Sequence, residues 1–171
     1  MGLVAQETAP VAQRHEARRI GNRHSLYWLT FAAAILALPA AAQTIVDGDT
    51  ITVKGTTYRL YGIDAAEKEQ HCTDGWAAGR AAISYLRGLV QDHEVACEVV
   101  ARTRNGATPA LCTVDGQDLG AAMVASGMAW ASTRHSHEYI DEEAQANIDR
   151  LGVHGHDCVR AWDWRTRPQR R

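Results

Sequence analysis

The chain is expected to fold back on itself between residues 45 and 67, IVDGDTITVKGTTYRLYGIDAAE, and this stretch constrains the rest more than any other. Ile51 and Val53 alternate with polar neighbours, Lys54-Gly55 offers a turn, and a second run follows over residues 58–63. Alternation with a period of two, interrupted by a glycine turn, predicts a β-hairpin. A hairpin brings its outer ends together. Asp49 is therefore expected near Asp64 and Glu67, with Arg59 on the same strand as Asp64.

Three carboxylates at one end of a hairpin repel one another unless positive charge lies between them. Oxygen ligands suit Ca²⁺ or Mg²⁺ better than zinc. A neighbouring arginine suits a phosphate, because its planar fork pairs with two oxygens at once. A glutamate outside the metal's ligand set could take a proton from water. These residue types together point to metal-assisted phosphodiester hydrolysis. The plainer reading is an acidic hairpin end facing solvent.

Outside the hairpin, with 171 residues, 46% of them hydrophobic, the chain can bury one real core. Its formal charge of −2 hides a division. Residues 43–159 hold nine basic against seventeen acidic side chains, a formal −8, while residues 160–171 hold five arginines against one aspartate. An acidic body is a poor general partner for nucleic acid, so broad contact would have to come from the basic tail or from local arginines. The tail itself reads as a solvated extension.

Residues 1–24 are polar with four arginines, and residues 25–42 join an apolar run to an Ala-rich end. Positive region, apolar core and Ala-x-Ala site describe a secretory signal, cleaved after Ala42. The domain is then periplasmic or secreted; a retained membrane anchor is the alternative, and the only route to a membrane contact. No protein partner can be inferred.

Export changes how four cysteines are read. Cys72, Cys97, Cys112 and Cys158 allow three pairings in an oxidising compartment, and four reduced thiols otherwise. Residues 95–100 and 110–114 read as strands around an Asn105-Gly106 turn signal. Opposed residues in an antiparallel pair share a constant index sum. Cys97 opposite Cys112 centres the turn between Arg104 and Asn105, at that signal. Cys72–Cys158 then follows by elimination.

Further strands are expected at residues 44–46, 50–53 and 58–63. Helices are expected over residues 77–90, over 119–126 capped by Asp118 and stopped by Gly127, and over 137–151 capped by Ser136. In the last, Ile140, Ala144, Ile148 and Leu151 form the apolar stripe. Five strands and three helices in this order fit a small Greek-key barrel with helices packed on it. The domain is placed at residues 43–159.

The hairpin resembles the staphylococcal nuclease-like (thermonuclease) family, in which Asp-Gly-Asp-Thr is followed by Arg-x4-Asp-x-Pro-Glu. Here these are residues 47–50, then Arg59, Asp64 and Glu67. The resemblance runs to about residue 164, with weaker echoes at 114–116, 122–127 and 143–146. It implies an α+β fold, a five-stranded OB-fold-type β-barrel with three helices packed on it. It implies one Ca²⁺ held by Asp49, Asp64 and the backbone carbonyl of Ala65, with Arg59 clamping phosphate and Glu67 as general base. The implied substrate is single-stranded DNA or RNA.

Departures accumulate after the hairpin. Ala66 replaces the proline, Asn105 and Ser132 stand where the family has tyrosines, and residues 152–154 read Gly-Val-His in place of Gly-(Ile/Leu)-Trp. Ala107 replaces the second phosphate-clamping arginine. An arginine on a phosphoryl transition state is worth roughly 10³–10⁵ in rate. The expectation is a slowed endonuclease unless Arg102 or Arg104 substitutes. The alternatives are a catalytically degenerate binding module of the cell envelope, or a structural envelope protein with a vestigial pocket. His135-x-His137 and His154-x-His156 read as solvated loops before metal ligands, and Trp162 and Trp164 as packing residues before base-stacking ones.

Overall fold

The computed structural model describes residues 43–103 and 105–167. The arginine-rich start and the apolar segment that reads as a signal lie outside the described residues. Among the described residues no helix is long and apolar enough to cross a membrane.

Strands β1 (Gln43–Asp47), β2 (Thr50–Val53) and β3 (Thr56–Leu60) form an antiparallel meander. The turn between β2 and β3 uses Lys54 and Gly55, with φ of +50° and +82°. Two successive positive φ angles give a turn whose twist matches the flanking strands. Thr50 lies opposite Arg59, the register expected for a turn at that place.

The chain next crosses by helix α1 (Ala78–Val90), whose Ala78, Ala82, Leu86 and Val90 face the core. Strands β5 (Val95–Val99) and β6 (Thr108–Val114) follow, and β6 lies parallel to β3. The five-strand path is thus β1-β2-β3-β6-β5, with the short β7 (Gln117–Asp118) added to β6. A separate pair joins β4 (Ile63–Ala65) to β8 (Ala129–Ala131). This is the α+β, OB-type arrangement expected. β1 and β5 do not pair directly; Gln43 instead donates to the carbonyls of Val90 (2.7 Å) and His93 (2.5 Å) after α1.

Helix α2 (Leu119–Ala125) has the anticipated cap, Asp118 accepting from Ala121 N at 3.1 Å. Leu119, Met123 and Val124 are fully buried against Ile51, Leu60 and Leu86. Helix α3 (Ile140–Ile148) departs from expectation. It begins four residues after Ser136, and its expected stripe faces outward: Ile148 is 72% exposed and Ala144 is also exposed. Tyr139 and Ala146 are the buried anchors, the Tyr139 hydroxyl donating to Asp118 at 3.0 Å. That hydrogen bond anchors the start of α3.

Both disulfides form in the expected pairing. Cys97 and Cys112 are directly opposed in the β5–β6 hairpin, with Cα atoms 4.1 Å apart. Cys72–Cys158 joins the loop after β4 to the segment after α3. Bridges of this kind form and persist in oxidising compartments.

The tail is not a solvated extension as far as residue 167. A fourth helix, α4 (Ala161–Thr166), buries Ala161 completely in a second small core with Ala66, Cys72, Ala78, Trp130 and Val153.

Candidate active site

Asp49 lies in the turn that joins β1 to β2, immediately before Thr50. It is 5% exposed, and its carboxylate accepts from Thr50 Oγ1 at 2.8 Å and Arg59 Nη2 at 2.6 Å. Burial raises its pKa and Arg59 acts against that rise. A carboxylate so placed depends on the Arg59 guanidinium for its counter-charge. Helix α1 makes the depth possible: a side chain at Gly48 would meet Ala82 Cβ at 2.7 Å and Ala65 Cβ at 2.8 Å.

Arg59 and Asp64 do not share one strand. Five residues apart on a regular strand, they would point to opposite faces. The chain breaks at Tyr61 and Gly62, where Gly62 has φ +80°, and resumes as β4 against β8. The break swings Asp64 to the arginine's side, so that Arg59 Nη2 also reaches Asp64 Oδ1 at 3.1 Å. One guanidinium nitrogen therefore bridges Asp49 and Asp64.

Glu67 lies in the loop beyond β4. Its backbone N–H donates to Gln70 Oε1 at 3.2 Å, and its carbonyl accepts from Gln70 N at 2.7 Å. Gly79 of α1 presses on the same peptide: an added Cβ would fall 1.9 Å from the Glu67 carbonyl oxygen. Asp47, left out of the site by sequence reasoning, belongs to the same electrostatic group. Burial raises its pKa, and the charge of Glu67 raises it further.

The unexpected member is Arg165 of α4. Its Nη1 donates to Glu67 Oε1 at 2.6 Å, and its Nη2 reaches both oxygens of Asp64 at 2.9 Å. Local sequence offered no sign of this, because 101 residues separate Arg165 from Asp64. The available signal was the pairing Cys72–Cys158, which already tied the tail to the loop carrying Glu67. Arg102, an anticipated substitute, is exposed and lies outside the cleft; Arg104 lies outside the described residues.

The cleft above these groups has a volume of about 830 Å³ and is lined by Arg59, Asp64, Trp130, Arg134, Arg160 and Arg165 among others. Arg134 stacks on Trp162, its Cζ 3.8 Å from the ring centroid, and Arg160 pairs with Glu143 at 2.9 Å. Four arginines share this lining with Asp64, Glu143 and Asp163, a mixture that suits a polyanion held beside a cation. Among the described residues no group of three His, Cys, Asp or Glu side chains is gathered as a ready metal site. The donor chemistry nevertheless fits a hard cation: Asp49 is a buried carboxylate whose one ion-pair partner, Arg59, is shared with Asp64, its neighbour across one guanidinium nitrogen. A cation binding there would take over contacts now made by arginines. Among the described residues the histidine pairs join no larger metal-ligating group: His156 pairs with Asp74 at 2.6 Å and stacks on Trp76, and desolvation pushes the pKa of half-buried His154 down.

The sequence profile of staphylococcal nuclease homologues matches residues 57–154, more than half the chain. The chain belongs to that family. A Haemophilus influenzae protein named an uncharacterized endonuclease is 34% identical over 114 residues, 64% of this chain and 61% of the relative's length. Protein ParB of Escherichia coli is 32% identical over 172 residues, covering 84% of this chain and 94% of ParB. The succinoglycan biosynthesis protein ExoI of Rhizobium meliloti is 26% identical over 133 residues, 74% of this chain and 64% of ExoI. This staphylococcal nuclease homologue therefore carries a nuclease-like domain, in which Asp49, Arg59, Asp64 and Glu67 are linked by ion pairs.

Proposed function

We propose that the protein is an exported, Ca²⁺-dependent nuclease that hydrolyses phosphodiester bonds of single-stranded DNA or RNA. One observation carries the reading: Asp49, Arg59, Asp64 and Glu67 converge through two guanidinium bridges, and Arg59 and Asp64 of that cluster line a cleft with three further arginines. Asp49, Asp64 and the carbonyl of Ala65 would hold one Ca²⁺. Such an ion, when bound, supplies Lewis-acid polarisation of a phosphoryl oxygen. Arg59 orients the phosphate by two of its N–H groups, and Glu67 accepts a proton from the attacking water. Burial of Asp49 keeps water from competing for that carboxylate. Two disulfides support export, with cleavage after Ala42 and a retained anchor as the alternative.

A second reading, an envelope binding module that has lost catalysis, draws on Ala107, Asn105 and Ser132. One experiment separates the two. Purified protein is incubated with a single-stranded oligonucleotide in Ca²⁺ or in chelator, and its melting temperature is measured in both. Calcium-dependent cleavage is expected, lost in Glu67→Gln and Arg59→Ala. At 100 times its dissociation constant the ion should add about 2.7 kcal/mol of stability, and Asp49→Ala should remove that gain. Binding of the oligonucleotide without cleavage, unchanged by chelator, would favour the binding module. An equal calcium shift in wild type and Asp49→Ala would refute the metal assignment.

A further inference from the structure

We propose that Arg165 is the second phosphate-binding arginine of this nuclease, supplied by the C-terminal helix in place of the residue missing at Ala107; the assignment rests on the nuclease reading. Three observations carry it. The first is position. Arg165 touches Asp64 and Glu67 and lines the same cleft as Arg59, whereas Ala107 precedes β6 and Arg102 lies outside the cleft.

The second is construction. A stray surface arginine would be loosely tethered, but the segment leading to α4 is fastened at several points to the loop that carries Glu67. Buried Gln70 accepts from Glu67 N and donates to the Val159 carbonyl at 2.6 Å. Cys72 is bridged to Cys158, Thr73 N donates to the Asp157 carbonyl at 2.9 Å, and Asp74 pairs with His156. Ala161 is fully buried, and Trp162 is covered by Arg134. Arg165 is therefore delivered to Glu67 by a fixed scaffold.

The third is charge. Among the groups in direct ion-pair contact, Asp49, Asp64 and Glu67 oppose the two guanidiniums of Arg59 and Arg165, leaving the metal-free cluster at a formal −1. A divalent cation would bring that count to +1, which attracts a phosphodiester. Without Arg165 the loaded cluster would be neutral and that attraction lost. With it, the guanidinium freed from Asp64 has a phosphate oxygen as its next acceptor within the same cleft.

The test compares wild type, Arg165→Ala and Arg165→Lys on a single-stranded oligonucleotide in Ca²⁺. Cleavage by Arg165→Ala is expected to fall about 10²–10³-fold. Binding is read separately in a Glu67→Gln background. There, the slope of log affinity against log salt should shrink by about 0.7 in Arg165→Ala, the share of one phosphate contact on a single strand. Arg165→Lys should keep the slope yet cleave well below wild type, since an ammonium lacks the planar fork. If Arg165→Ala does not fold, as judged by its melting curve, the lysine variant decides: wild-type cleavage there overturns the assignment. Faster cleavage in Arg165→Ala would mean that Arg165 blocks the site, and also overturns it. So would an unchanged rate and slope. A wild type that neither cleaves in Ca²⁺ nor gains stability from it instead refutes the nuclease reading itself.

Discussion

Arg59 serves two masters at the residue scale. In the metal-free protein it is the counter-charge of a nearly buried aspartate; in the proposed reaction it holds the phosphate. Arg59→Ala is therefore expected to lose stability as well as activity. A hydrogen bond to a charged group contributes about 1.5–3 kcal/mol, and the half-exposed arginine places this pair at the lower end. Urea unfolding in chelator should show a loss of about 1–2 kcal/mol, and added Ca²⁺ should restore most of it, because the ion supplies the missing charge. A loss of the same size with and without Ca²⁺ would separate Asp49 from the metal. Much of this residue-level logic was legible in the sequence: the spacing of Asp49, Arg59, Asp64 and Glu67 announced one cluster. The break at Gly62 that turns Asp64 toward Arg59 was not legible, because alternation continued through it.

Secondary-structure elements were legible where geometry is counted along the chain. The index sum that pairs Cys97 with Cys112 also fixed the β5–β6 register, and Asp118 and Gly127 marked both ends of α2. Helix α3 was misread because a cap at Ser136 and hydrophobic periodicity were the guides, while a tyrosine hydroxyl 21 residues along from its aspartate acceptor anchors the helix start. Helix α1 offers a sharper test of how elements build the site. Gly79 lets the helix lie against the Glu67 peptide, and a methyl group there would overlap the carbonyl oxygen. Gly79→Ala removes a poor helix former, which by propensity alone would stabilise by about 1 kcal/mol. The expected outcome is the reverse: overpacking costs typically 1–3 kcal/mol, and cleavage falls by more than the stability loss accounts for. Activity measured well below the melting temperature checks this; full activity would show that the Glu67 loop moves aside freely.

At the scale of the whole molecule, the body is acidic, and one cleft is lined by Arg59 and Arg134 of the body with Arg160 and Arg165 of the C-terminal segment. The two disulfides divide the work of holding this together. In the chain-entropy model Cys97–Cys112, closing about 15 residues, contributes about 3 kcal/mol, and Cys72–Cys158, closing a far longer loop, about 4–5 kcal/mol. Their functional weights differ more. Cys97→Ser with Cys112→Ser is expected to lower the melting temperature while leaving cleavage at 25 °C near wild type. Cys72→Ser with Cys158→Ser should reduce cleavage at the same temperature, because Arg165 loses its tether. Equal activity losses in the two double variants would deny the longer bridge any role beyond stability.

The Cys72–Cys158 bridge also imposes an order of events on the protein's birth. The hairpin acids leave the ribosome before Cys158 and Arg165, which lie well further along the chain. In a reducing cytoplasm that bridge stays open, so on the proposed assignment the chain carries its carboxylates without their stapled partner. On the proposed export, completion would wait until Cys72 and Cys158 have both reached an oxidant. On the proposed activity, the maker's own genome would then face only the unstapled, slower form of the enzyme.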